Sequence, residues 1–96
     1  MKLRLLDSAV DDLLEATAFY DAQVAGLGDY FIDNLSADID SLRHHAGIHQ
    51  RVFGFHRLLA KRFPFAIYYS VNADEVRVYA ILDCRRAPEW IRQRLS

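Results

Sequence analysis

The stretch Arg62–Arg86, RFPFAIYYSVNADEVRVYAILDCRR, decides the architecture of this 96-residue chain. From Phe65 to Val71 and from Val76 to Leu82, β-branched and aromatic residues dominate, a composition suited to a pleated surface. The polar run Asn72, Ala73, Asp74, Glu75 between them supplies a short reversal, so the stretch reads as a β-hairpin that ends in Arg85 and Arg86. Alternation along a strand sorts the side chains: Phe65, Ile67, Tyr69 and Val71 share one face of the first strand, and Ala66, Tyr68 and Ser70 the other. In the second strand the same parity makes Val76, Val78, Ala80 and Leu82 the apolar set, and Arg77, Tyr79, Ile81 and Asp83 the mixed set. One face of such a hairpin wants a cover, and the other is free to meet a partner.

The cover lies upstream. Leu3 to Leu6 is short and apolar enough for one strand, cut off by Asp7 and Ser8. A helix is predicted from there to about Val24: Ser8 and Asp11 make a capping pair, and Val10, Leu13, Leu14, Thr17, Tyr20 and Val24 form its apolar stripe. Asp12, Glu15 and Asp21 are left for water. Gly26 and Gly28 break this helix, and Leu27, Phe31, Leu35, Ile39 and Leu42 then repeat at helical spacing to roughly His45. Gly47 stops the second helix, His49 to Gly54 is a connection or a short strand, and Phe55 to Lys61 reads as a further strand. Pro64 has no amide hydrogen and belongs at the edge or start of the next strand. Downstream, Pro88 opens a short C-terminal helix with Glu89 early and Arg92 and Arg94 late, docked by Trp90, Ile91 and Leu95. The expected product is an α+β domain spanning 1–96: an N-terminal strand, a helical hairpin packed on a small twisted, mainly antiparallel sheet, and a short C-terminal helix.

Composition bounds the function classes. A hydrophobic content of 52% is ample for the core of a domain that buries roughly 60–65% of its unfolded surface. The single cysteine, Cys84, cannot form an internal disulfide and reads as a small half-buried side chain; it fits a reducing compartment. The first dozen residues carry acids and no long apolar run, so a signal peptide or transmembrane helix is not expected, and the cytoplasm is the predicted location. The net charge of −1 conceals an asymmetry: residues 1–50 hold three basic and nine acidic residues, whereas residues 51–96 hold nine basic and four acidic. The basic half contains the hairpin, a pattern that fits either a solvated charged face or a surface for an acidic partner, peptide or nucleic acid. His45 and His49 are four apart, but Gly47 lies between them and no carboxylate or cysteine completes a ligand set, so no metal or other cofactor is expected.

Three segments carry a family resemblance over nearly the whole chain: YDAQVAGLGDYFIDNL in the helical hairpin, the strand pair LLAKRFPFAIYYSV and VRVYAILDCRR, and the closing RRAPEWIRQR. The sequence resembles toxins of the RelE/ParE superfamily, and FPFAIYY followed by CRRAPEW is most similar to the ParE-like, plasmid-stabilisation members. The resemblance implies the toxin of a type II toxin–antitoxin system, a growth inhibitor held in a hetero-oligomer by a cognate, ParD-like antitoxin. It also implies one of two targets. RelE-like members cleave messenger RNA on the ribosome and need several cations around the scissile phosphate. By that resemblance Arg57 and Arg86 fall at catalytic basic positions, with Lys61 and Arg85 nearby. Leu59 and Ala66 fall where two further basic residues sit, and Arg92 stands at the position of the catalytic tyrosine. ParE-like members instead poison DNA gyrase by protein contact, which asks no catalysis of the chain. A sequence pI near 6.4 also argues against a nuclease working inside a polyanion. DNA gyrase is therefore the expected target, with the ribosome and its mRNA, or a degenerate non-toxic binding module, as alternatives. The residues expected to contact antitoxin or target are Arg57, Lys61, Tyr68, Arg85, Arg86 and Trp90.

Overall fold

A computed structural model describes residues 1–96. The elements run β1 (Lys2–Leu5), α1 (Asp7–Gln23), α2 (Leu27–Asp40), α3 (Leu42–His45), β2 (Arg51–Val52), β3 (Phe55–Leu59), β4 (Phe65–Asn72), β5 (Glu75–Asp83) and α4 (Pro88–Arg94). The strands form one five-stranded sheet in the order β1-β5-β4-β3-β2, antiparallel except for the parallel β1–β5 pair. The expected α+β architecture is thus the observed one.

The hairpin sits at the sheet's centre. Asn72 pairs with Glu75 across a two-residue turn in which Ala73 takes a positive φ of 55°. The register slips between Tyr68 and Tyr69: Tyr68 pairs with Ala80 and Tyr69 with Val78, so Tyr79 is an extra residue in a β-bulge. This corrects the parity read from the sequence. Val76 and Val78 join Phe65, Ile67 and Tyr69 in the core under the helices, but after the bulge it is Ile81 that enters that core. Ala80 and Leu82 switch to the opposite face, where they bury with Ala66, Tyr68 and Ile91. The face expected to lie open is therefore partly covered by α4.

The helical hairpin covers the first face as expected, but α1 is rotated from the predicted stripe. Its buried residues are Ala9, Leu13 and Ala16, whereas Val10, Leu14 and Val24 are exposed. Ser8 does not cap the helix; its hydroxyl donates to the Tyr79 carbonyl at 2.7 Å, tying the start of α1 to the bulge. The second stripe is as read, with Phe31, Leu35, Ile39 and Leu42 buried. Phe31 stacks on Tyr20 at 4.9 Å and meets Phe63 and Phe65 edge-on at 4.8 and 5.1 Å. A fully buried aromatic ring such as Phe31 contributes roughly 1.5–3 kcal/mol, so this cluster helps hold the helices to the sheet.

Gly26, at φ 88°, is the N-cap of α2, and the Asp21 carboxylate accepts hydrogen bonds from the Gly26 and Gly28 amides at 3.0 and 3.2 Å. A Cβ on Gly28 would lie 2.8 Å from Asp21 Cβ and 2.9 Å from the Thr17 carbonyl oxygen, so the two helices meet where only glycine fits. Two smaller expectations are also corrected. Cys84 is exposed rather than half-buried. Ile91, not Trp90, anchors α4: Ile91 is 7% exposed and Trp90 37%.

Candidate functional site

The expected contact residues fall into separate groups. On the α4 side of the sheet, Arg57 pairs with Tyr68 across β3 and β4, and two residues along, Leu59 pairs with Ala66. Tyr68 is 2% exposed; burial pushes its hydroxyl pKa up, the nearby Cys84 adds to this, and Arg57 opposes it by charge and hydrogen bonding. Tyr68 therefore lies across the strands from Arg57 and offers almost no contact surface of its own. The Leu59–Ala66 pair leaves the neighbouring stretch apolar. Towards the other end of the same face, Arg4 and Arg77 stand side by side on β1 and β5. Glu75 lies among Arg77, Arg4 and Lys2, which hold its carboxyl below the usual range, the hydrogen bond from Arg77 most of all.

The second group lines a groove of about 280 Å3 between α1, α4 and the end of β5. Arg85, Arg86 and Trp90 line it together, and Phe19 of α1 lines the same groove. Arg85 is clamped to its own strand end: its Nη2 donates to Asp83 Oδ2 at 2.7 Å, and its Nε and backbone amide both donate to Asp83 Oδ1. The pair lowers the Asp83 pKa, again mainly through the Arg85 hydrogen bond. Arg86 forms no carboxylate pair; its guanidinium carbon lies 4.2 Å above the centre of the Trp90 ring. A guanidinium held on an indole face with its edge open is preset for a carboxylate or phosphate.

Lys61 joins neither group. Its backbone amide donates to Asp38 Oδ2 at 3.1 Å, fastening the β3–β4 connection to α2. Arg92 is exposed and paired with Glu89, one turn earlier on α4. His49 turns its Nδ1 to the Tyr69 hydroxyl at 2.5 Å, and no group of three His, Cys, Asp or Glu side chains lies close enough to hold a metal ion.

Asp12, read as solvent-facing, is a structural centre of the groove. Its Oδ2 accepts the Ile81 amide at 3.0 Å and the Arg94 Nη2 at 2.7 Å. The signal lay in the alanines. Ala9, Leu13 and Ala16 mark the buried line of α1, and Asp12 lies on it; a stripe counted on large residues alone passes over it.

No family model matches the sequence, and no curated protein matches it. Among solved structures, a chain of the chromosomal ParDE TA system from P. aeruginosa is similar at a TM-score of 0.77 and 21% identity, over 84% of this chain and 92% of that one. The chain therefore shares the fold of that structure, an α+β fold of the kind its sequence resemblance implies. No helix is long and apolar enough to cross a membrane.

Proposed function

We propose that residues 1–96 form the toxin domain of a type II toxin–antitoxin pair. In this reading the chain arrests growth in the cytoplasm and is neutralised in a complex with a cognate ParD-like antitoxin. The observation that carries the proposal is the match of nearly the whole fold to a chain of a ParDE system. The segments that resemble ParE-like toxins support the same reading.

The target we propose is DNA gyrase, engaged by protein contact. What favours it over RNA cleavage is the chemistry of the sheet face. The two positions where RNA-cleaving relatives place cations hold Leu59 and Ala66, paired directly across β3 and β4, and Ala66 is fully buried. Arg57 has Tyr68 opposite it, while Arg86 lies in the groove against Trp90. A scissile phosphate needs several cations converging on it, and two of the positions that would supply them are apolar here. Contact with a protein asks only for a stable surface, which Arg57, Arg86 and Trp90 provide.

The test is gyrase supercoiling of relaxed plasmid with purified protein, alone and with antitoxin. Inhibition with trapped cleaved DNA, reversed by antitoxin, is the expected result. Growth arrest without any effect on gyrase removes the gyrase reading and transfers attention to ribosome-bound RNA.

A further inference from the structure

We infer that the groove between α1 and α4 is a peptide-anchoring site that takes one large apolar side chain of an extended acidic segment, with a neighbouring carboxylate held by Arg86. The reasoning rests on the groove's size, its walls and its charge. At about 280 Å3 it falls below the roughly 300–1,000 Å3 of pockets that enclose whole small molecules, but it accommodates a single aromatic or branched side chain. Its apolar walls come from different elements: Phe19 from α1, Phe65 from β4 and Trp90 from α4. Phe19 is 56% exposed and Trp90 37%, so both carry uncovered apolar surface into the cleft. Aromatic side chains with room between them are the usual anchor points of protein recognition.

Charge complementarity fixes the chemistry of the occupant. Two of the groove's arginines are already neutralised, Arg85 by Asp83 and Arg94 by Asp12. Arg86 is not; it is stacked on Trp90 with no carboxylate partner. An incoming carboxylate beside the apolar anchor would meet a cation whose orientation is already set, so little ordering entropy opposes binding. Glu15, also in the groove wall and in no ion pair, disfavours a second acid on the α1 side. The acid therefore belongs next to the anchor on the α4 side. This deepens the proposed function by giving the chemistry of the segment received, while the groove can be tested without reference to growth arrest or gyrase.

Trp90 is the single tryptophan of the chain, so its emission reports occupancy of the groove. The probe is acetyl-Ser-Ser-Phe-Glu-Ser-amide, with a single acid beside the anchor, titrated to several times 1 mM, a concentration scale on which a binding free energy of about −4 kcal/mol is readable. Saturable change in Trp90 emission is expected. Arg86→Gln should weaken binding about tenfold, the worth of one charge-assisted hydrogen bond, and Phe19→Ser should weaken it similarly. Both residues are exposed, and an unchanged far-UV circular dichroism spectrum confirms the fold. Equal binding of the peptide with Gln in place of Glu, or of the Arg86→Gln variant, overturns the acidic specificity. Absence of any saturable change with wild-type protein overturns the site, whatever the outcome with gyrase.

Discussion

Asp12 on α1 and Arg94 on α4 are 82 residues apart in sequence, yet Arg94 Nη2 lies 2.7 Å from Asp12 Oδ2, and that same oxygen accepts the Ile81 amide just past the bulge. One carboxylate thus ties the first helix, the last helix and the central strand. The Asp12 side chain is 13% exposed and that of Arg94 30%. Desolvation dominates, so the Asp12 pKa is raised even though the Ile81 amide and Arg94 both pull it down.

Removal of Arg94 strips the carboxylate of its counter-charge inside a mostly desolvated site. Arg94→Ala is expected to cost about 2 kcal/mol, measured by urea unfolding. Asp12→Asn should cost about half as much, because the amide oxygen can still accept from Ile81. Equal losses for Asp12→Asn and Asp12→Ala would show that the Ile81 hydrogen bond contributes nothing.

Gly28 and Ala73 make opposite backbone predictions. Gly28→Ala forces a methyl into the Asp21 and Thr17 backbone region at under 3 Å, so either α1 or α2 must move; a loss of about 1–3 kcal/mol is expected. Ala73 already carries a Cβ in the left-handed region. Ala73→Gly should therefore stabilise the hairpin by about 0.5–1 kcal/mol. Thermal unfolding of the two variants reads both signs.

The helical hairpin, the central strand pair and the order of the elements were legible because each rests on a local pattern: the Phe31, Leu35, Ile39 spacing, the alternation in β4, and Pro88 at a helix start. The face of β5 beyond Val78 was not. A bulge is one extra residue, and nothing in VRVYAIL distinguishes Tyr79 as the residue that drops out of the ladder; the choice is made by the partner strand and by Ser8, whose hydroxyl holds the Tyr79 carbonyl. The site was legible in the same measure. Arg86 and Trp90 are close in sequence and meet in space, whereas Phe19 and Asp12 reach the groove only through the packing of α1, which small residues decide.

Acid should loosen the segment before β2. The buried Tyr69 hydroxyl accepts the Gly47 amide at 3.0 Å and has one proton of its own to give, to His49 Nδ1. Protonated His49 can no longer accept it. Desolvation lowers the His49 pKa, and the neighbours that act on it, His56 and His45, carry the same sign and lower it further. A histidine with a depressed folded pKa contributes stability that is present above its unfolded value of about 6.5 and is lost as pH falls through the folded one. The unfolding temperature should decline from pH 7 towards pH 5, and His49→Gln, which keeps an acceptor without titrating, should flatten that decline. Parallel curves for the two proteins would assign the pH dependence elsewhere.

Arg85 and Arg86 can be separated from the fold altogether. Arg85 pairs with Asp83 at an exposed strand end, where solvent screens the bridge and leaves it little weight in stability, and Arg86 only stacks on a half-exposed ring. The double substitution Arg85→Ala, Arg86→Ala should leave the unfolding midpoint close to that of wild type. Its functional effect should be large, because Arg86 is the groove's cation without an acid partner and Arg85 sets the charge beside it. Growth arrest on induction and complex formation with the antitoxin should both fall by about tenfold or more, and binding should weaken with added salt. A double mutant that arrests growth and binds antitoxin as wild type does would move the contact surface off this groove and onto the sheet face around Arg57.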